Sequence, residues 1–416
     1  MNTRRVVITG IGAVTPLGNT FGESWDAALE GRSGLAPVSR FHADGLAWQL
    51  AGELRQFDPR IFLSEKESAH FDPFVQYAVA AASMAASDAG VATGEYLSAG
   101  GVIIGSSRGG ISTLERAVAV LSGAERGAGR GKGRRLSPYL MPATTISAAP
   151  SFCSQKIGTR GHCLGISNAC ASGSNAVGEA FRLIRAGYNG PMLAGGTEAP
   201  VCRLCIEGYG SSGALSKGAD PSSSRPFARG RDGFVLSEGA CILVLEDLGN
   251  ALKRDARIYA EIIGYGNTVD AYHLTKPDSN GEAGAISAAL QDAGISAAAV
   301  GYINTHGTST VLGDAAESRA LQQVFASRIS AIPASALKSM TGHMLAASGA
   351  LETAFTAVTL QTGIIPPTIN LEERDETCHL NIVTRKADVS CRTAITQSFG
   401  FGGVNAVLVL RKFQGS

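Results

Sequence analysis

Short apolar runs alternate with longer amphipathic segments through nearly the whole chain. Residues 6–9, 102–104, 192–194, 241–244, 258–263, 302–304, 393–396 and 404–410 read as strands. Residues 74–88, 176–184, 285–292 and 351–360 read as helices between them. In the second helix Ala176, Val177, Ala180, Phe181 and Ile184 recur on one face, the period of a helix with one buried side. This alternation predicts an α/β fold whose buried sheets contain parallel strands.

Composition sharpens that picture in one respect. There are 52 glycines among 416 residues, far above the usual share of about 7%. Many stand where apolar runs end, as at Gly10, Gly12, Gly105, Gly195, Gly196, Gly400, Gly402 and Gly403. They predict tight strand-to-loop turns, where the backbone takes positive φ or passes close to something. The remaining bulk properties are ordinary. Length suits two or three domain-sized units, and a formal net charge of +1 provides no global field for nucleic acid or an anionic membrane. The first apolar run is too short for a secretory signal, and no run of about 20 apolar residues is present to span a bilayer. Eight cysteines in a long chain without such a signal are expected to be reduced thiols in the cytoplasm.

Residues 122–135 break the pattern with GAERGAGRGKGRR. Such a loop reads either as a solvated surface segment or as a basic docking patch for an acidic partner. A softer boundary falls at 247–257, and no internal repeat shows in the letters.

Four segments carry candidate chemistry. In ISNACASGSNAVGEA, Cys170 ends a run of small residues and passes into a helix. A helix N-terminus favours thiolate over thiol, and thiolate is the nucleophile. In NTHGTSTVLGDAAE, His306 follows a strand, pointing toward the usual ligand crevice of an α/β protein. Thr308 and Thr310 there either meet a polar ligand arm or cap the next helix. In KSMTGHMLAASG, Lys338 and His343 offer N–H donors beside small residues. In SFGFGGVN, bare amides between Phe399 and Asn405 can point at an oxyanion.

Together with VVITGIGAVTPLG, GGTEA, RPF…RDGFVLSEGA and DAYHLT, these segments closely resemble the β-ketoacyl-acyl-carrier-protein synthases, the elongating Cys-His-His class. The likeness runs from Arg5 to about Val409. It implies a thiolase-like, five-layered α-β-α-β-α fold of two similar halves, about 1–250 and 251–416, usually paired as a homodimer. It implies decarboxylative condensation of an acyl thioester with malonyl-acyl carrier protein, giving 3-oxoacyl-carrier protein and CO₂, in fatty-acid or type II polyketide or polyene synthesis. Carried over by position, Cys170 is the nucleophile, and the backbone N–H groups of Cys170 and Phe401 form the oxyanion hole. His306 and His343 stabilise the enolate, and Lys338 holds the electrostatics paired with Glu352. Thr308 and Thr310 contact the pantetheine arm, and Phe401 is the gate. Arg108 and Phe399 belong to the acyl pocket, and Arg134 and Arg135 dock the acyl carrier protein. Neither metal nor cofactor is implied beyond the substrates' phosphopantetheine.

The rival reading is a non-catalytic chain-length-factor-like partner in a ketosynthase heterodimer, which the presence of Cys170 and both histidines opposes. A dinucleotide site is disfavoured, since Thr15 replaces the third glycine after Gly10 and Gly12. Cys202 and Cys205 form a C-x-x-C without a second pair at zinc spacing. Several residues depart from the family pattern: Arg108, Pro150, Ser151, Ala228 and Ser237.

Overall fold

The computed structural model describes residues 4–91, 94–122 and 136–415. Eleven strands form one mixed sheet: β1 (Val6–Val14), β2 (Gly101–Gly105), β3 (Cys163–Ile166), β4 (Met192–Glu198), β5 (Gly239–Asp247), β6 (Ala260–Val269), β7 (Tyr302–Asn304), β8 (Pro333–Ser335), β9 (Asn381–Ile382), β10 (Thr393–Gly400) and β11 (Val404–Arg411). Their spatial order is β9-β8-β7-β10-β11-β6-β1-β5-β4-β2-β3.

That order contains the same five-strand pattern twice. Running outward from the centre, β1, β5 and β4 pair antiparallel, and then β2 and β3 continue in parallel. On the other side β6, β11 and β10 pair antiparallel, and β7 and β8 continue in parallel. The two sets join where Val6–Ile8 pair with Ala260–Ile262, and β9 is an addition to the second set. The repeat lies in topology, and the residues that realise it differ.

Two long helices lie between the sets. Helix α3 (Ser172–Arg185) packs on β4 and β2, and α6 (Ala346–Thr362) packs on α3 and on strands of both sets. Helices α1 (Pro73–Asp88) and α2 (Ala148–Ile157) cover the outer face of the first set. Helix α4 (Ser279–Asp292), backed by α5 (Val311–Phe325), covers the second. The result is the expected α-β-α-β-α layering. Residues Ala346–Leu360 of α6 are all buried, as a helix at the centre of five layers must be.

Some glycines do something other than turn the chain. Gly10 and Gly12 lie inside β1, where an added Cβ would meet the backbone oxygens of Ala85 and Ala81 at 2.3 and 2.0 Å. Gly264 and Gly266 of β6 meet the carbonyls of Ala289 and Ala285 in the same way. Each half thus presses its first strand against a helix backbone, and only a residue without a side chain fits.

No helix among the described residues is long and apolar enough to cross a membrane.

Candidate active site

The loop after β3 carries Cys170. Its predecessor Ala169 has φ +47°, a left-handed conformation costing about 1–2 kcal/mol for a residue with a Cβ. Ser172 clamps the turn: its Oγ accepts the Asn168 N–H at 2.8 Å and donates to the Ala169 carbonyl at 2.6 Å. Cys170 therefore stands one residue before the Ala171 cap of α3, half-buried on the floor of a cavity of about 370 Å³.

The histidines arrive from the other half. His306 follows β7, and its backbone is fixed by the Glu317 carboxylate of α5. Glu317 accepts the N–H groups of His306 and Gly307 at 2.6 and 2.8 Å and the Gln397 side-chain amide at 2.5 Å. His343 precedes α6, and its Nε2 lies 3.0 Å from Cys170 Sγ. The two imidazoles meet edge to face, with centroids 5.5 Å apart. Buried Lys338 donates to the His306 carbonyl at 2.6 Å, lies 3.3 Å from its Nδ1, and pairs with buried Glu352.

These contacts assign the ring hydrogens. An ammonium offers no lone pair, so His306 Nδ1 accepts from Lys338 and Nε2 carries the hydrogen. Ser348 Oγ accepts the Met344 N–H at 3.0 Å and can donate its own hydrogen to His343 Nδ1 at 3.3 Å. With that bond made, His343 also presents Nε2–H. Burial and the Lys338 charge hold both imidazoles well below the usual histidine range, so both are neutral at pH 7.

Charge on the nucleophile departs from expectation. Burial pushes the Cys170 thiol up to about 11, outweighing the pull of Lys338 and of the Phe401 backbone N–H. The helix N-terminus predicted a thiolate, whereas burial keeps Cys170 a thiol at neutral pH. The reason is desolvation, which disfavours the charged form wherever water is excluded.

The GFGG turn lies directly against this centre. A Cβ on Gly400 would sit 3.2 Å from Cys170 N and 3.1 Å from the Asn168 carbonyl. Gly402 and Gly403 take φ of +89° and +72°, which fits the turn expected there. Phe401 lines the cavity, and the Phe399 ring meets His306 edge on at 5.8 Å. Thr308 and Thr310 line the same cavity, their hydroxyls 3.0 Å apart, and Thr310 also caps α5.

Arg108 lies at the end of an aromatic relay. Its Nε donates to Tyr209 Oη at 2.8 Å, and its guanidinium sits 5.2 Å from that ring's centroid. Tyr209 meets Phe234 edge on at 5.7 Å, and Phe234 meets His343 at 5.1 Å. Ser237, a departure from the family pattern, donates twice: its hydroxyl to the Thr341 carbonyl at 2.5 Å and its backbone N–H to the His343 carbonyl at 3.0 Å. It steadies the His343 loop. Pro150 is buried and Ser151 exposed on α2, and Ala228 accepts from Arg231 at 3.0 Å. Cys202 and Cys205 are buried near Tyr209 in one apolar cluster. Arg134 and Arg135, with Arg130 and Lys132, lie outside the described residues.

Two supporting residues escaped the sequence reading, although each lies in a quoted segment. Glu317 is one. Glu198 is the other: it accepts from Ser106 and Ser107 hydroxyls and from the Ser107 and Arg108 amides, tying β4 to the loop after β2.

Comparison with known proteins decides the family. The model for the β-ketoacyl synthase N-terminal domain matches residues 3–251, and that for the C-terminal domain matches residues 259–372. The chain belongs to the β-ketoacyl synthases. This synthase is 42% identical to 3-oxoacyl-[acyl-carrier-protein] synthase 2 of Synechocystis sp., over 100% of this chain and 99% of that one. It is 42% identical to the Staphylococcus aureus protein of the same name, over 99% of each. Among solved structures it resembles the ishigamide ketosynthase/chain length factor, with TM-score 0.92 and 34% identity over 99% of this chain and 100% of that one. A type II polyketide ketosynthase, solved with its acyl-carrier protein, matches with TM-score 0.89 and 32% identity over the same shares.

Proposed function

We propose that this synthase extends an acyl chain held on Cys170 by two carbons, using a malonyl thioester carried on acyl carrier protein. The observation that carries the proposal is the convergence of a thiol and two neutral imidazoles in one cavity.

In loading, Cys170 sulfur attacks the acyl thioester carbonyl, and the carrier thiol leaves with the proton. The Cys170 and Phe401 amides stabilise the oxyanion. In condensation, the malonyl C–C bond breaks, CO₂ departs, and the electron pair moves into the thioester carbonyl. His306 and His343 donate to that enolate oxygen. The α-carbon then attacks acyl-Cys170, and the thiolate is expelled and reprotonated. Neutral donors suit this step, because a carboxylate would repel the developing charge. The reaction as proposed draws on no cofactor beyond the phosphopantetheine carrying each substrate. Lys338 keeps both imidazoles neutral, and Glu352 balances its charge. Thr308 and Thr310 hold the arm.

The partners follow. Acyl carrier protein is the substrate carrier, docked by the basic residues Arg134 and Arg135. A second copy pairs on the edge strand β3, where Leu164 is 41% exposed; a chain-length factor is the alternative occupant, and the solution mass of the purified chain separates them. The compartment proposed is the cytoplasm. The decisive experiment offers purified protein a panel of acyl-carrier thioesters with malonyl-carrier protein and identifies products by mass. Products two carbons longer bearing a 3-oxo group support the reading, and no such product from any acyl group refutes it.

A further inference from the structure

Beyond the reaction centre, the carboxyl groups of Glu282, Asp270 and Glu317 lie close enough to interact, the first two on residues lining the cavity, and one differs from the others. Asp270, just after β6, is satisfied: Oδ1 accepts from Asn405 at 2.6 Å and Oδ2 from the Asp278 N–H at 3.0 Å. Glu317 is satisfied by three donors. Glu282, in the first turns of α4, is 1% exposed and lines the cavity. Its Oε2 is buried with no hydrogen-bond partner among the described residues. A buried carboxyl oxygen without a partner is destabilising, and native structures rarely leave one so. Where it borders a substrate cavity, the missing partner is expected to come from a ligand.

We propose that Glu282 is a positioning residue of this cavity, donating a hydrogen bond from its neutral carboxyl group to an amide carbonyl of the substrate's phosphopantetheine arm. The inference rests on the carrier-substrate reading given above. Its chemistry follows from what surrounds the group. Asp270 faces it from the end of β6, Asp278 from the cap of α4, and Glu317 and Arg319 from α5. Three acids against one guanidinium make a carboxylate unfavourable there. Burial is the largest influence, followed by Glu317 and Asp270, and together they hold Glu282 well above the usual carboxylate range. A neutral acid supplies a donor. The pantetheine arm presents amide carbonyls along its length, and an acid O–H matches them where a carboxylate would repel them.

The test measures loading of Cys170 by two small substrates with the same acyl group. One is an acyl-pantetheine, which carries the arm's amides. The other is an acyl thioester of a simple alkanethiol, which carries none. Glu282→Ala should raise KM for the pantetheine thioester on the order of tenfold, the worth of about one hydrogen bond. The alkanethiol substrate should show no such change. Glu282→Gln, still a donor, should restore KM. In the wild type, KM for the pantetheine substrate should climb as pH rises and Glu282 ionises, whereas the Gln variant should stay flat. Equal shifts for both substrates, no shift for either, or identical pH profiles in wild type and Glu282→Gln would overturn the assignment. Failure of the wild type to use acyl-pantetheine at all would overturn the underlying reading as well, so the two failures are distinguishable.

Discussion

The Nε2 of His343 stands 3.0 Å from Cys170 Sγ, although 173 residues separate them in sequence. Each sits before one of the two central helices, α3 and α6, and each is preceded or followed closely by a residue in the left-handed region: Ala169 at +47° and Leu345 at +47°. The duplicated topology therefore delivers the nucleophile from one half and its partner from the other. The cavity between them belongs to both.

This geometry makes Cys170 the only nucleophile the mechanism needs. Cys170→Ala should abolish condensation, and the protein should gain no acyl mass when mixed with acyl thioester. Intact-mass spectrometry reads the result, and undiminished acylation of the variant would remove Cys170 from its role.

The histidine assignment separates the half-reactions. In the proposed mechanism both rings donate to the enolate oxygen, whereas loading relies on backbone amides. His306→Ala and His343→Ala should each slow CO₂ release from malonyl thioester by about 10²–10³-fold, as loss of one oxyanion donor does elsewhere. Acyl transfer to Cys170 should fall much less. Equal loss of both half-reactions would show that the imidazoles serve loading too.

Burial and the helix N-terminus make opposite demands on the thiol, and pH distinguishes them. With the Cys170 thiol at about 11, the thiolate fraction grows tenfold for each pH unit through neutrality. Alkylation of Cys170 by iodoacetamide should then accelerate steadily from pH 6 to pH 9. A plateau at neutral pH would mean that the helix terminus outweighs desolvation.

Glu317 fixes the His306 backbone, so its loss should be felt in stability as well as rate. Glu317→Ala strands two buried N–H groups and the Gln397 amide. Each buried donor left without a partner costs about 1–3 kcal/mol, so the three together set a lower bound of about 3 kcal/mol. A destabilisation of about 3 kcal/mol is expected in urea unfolding, with decarboxylation reduced in the folded fraction. A variant as stable as the wild type would contradict this support.

Much of this was legible in the letters, and the gaps have physical causes. The apolar runs gave eight of the strands because each is buried and long enough to show its pattern. Strand β3 went unseen, being four residues at a sheet edge with Cys163 and Leu164 exposed. Helix α5 was anticipated only as the helix that Thr310 could cap, and its extent went unread because polar residues on its buried face, among them Asp314 and Glu317, disguise the period. The repeat is a repeat of pairing, which single letters do not carry. Cys170, His306, Lys338 and His343 were found through local chemistry and the family likeness. The charge state of the thiol was not, since burial is a property of the assembled cavity.

Arg108 bears on which acyl group is accepted. Three settings are physically open to such an arginine: pairing with an acid and narrowing the acyl tunnel, lining a tunnel for an unsaturated, aromatic or oxygenated chain, or turning outward to a dimer interface. Arg108 is exposed and is not among the residues lining the cavity of Cys170, but its side chain donates to Tyr209 Oη and lies over that ring. Tyr209 itself lines the cavity that holds Cys170, so the guanidinium is linked to the reaction centre through Tyr209 and Phe234. A guanidinium keeps its charge at any accessible pH, and covering it with methylenes is unfavourable. A flat conjugated or oxygenated acyl chain can instead stack on the aromatic ring or accept from a remaining N–H. Arg108→Ile should therefore increase kcat/KM for long saturated acyl thioesters and decrease it for conjugated or oxygenated ones. A change of about tenfold in their ratio corresponds to roughly 1.4 kcal/mol, well within the reach of one cation–π contact plus one hydrogen bond. The measurement is competition between the two acyl classes, with products resolved by mass. If wild type and variant use long saturated chains equally well, Arg108 does not select the acyl group.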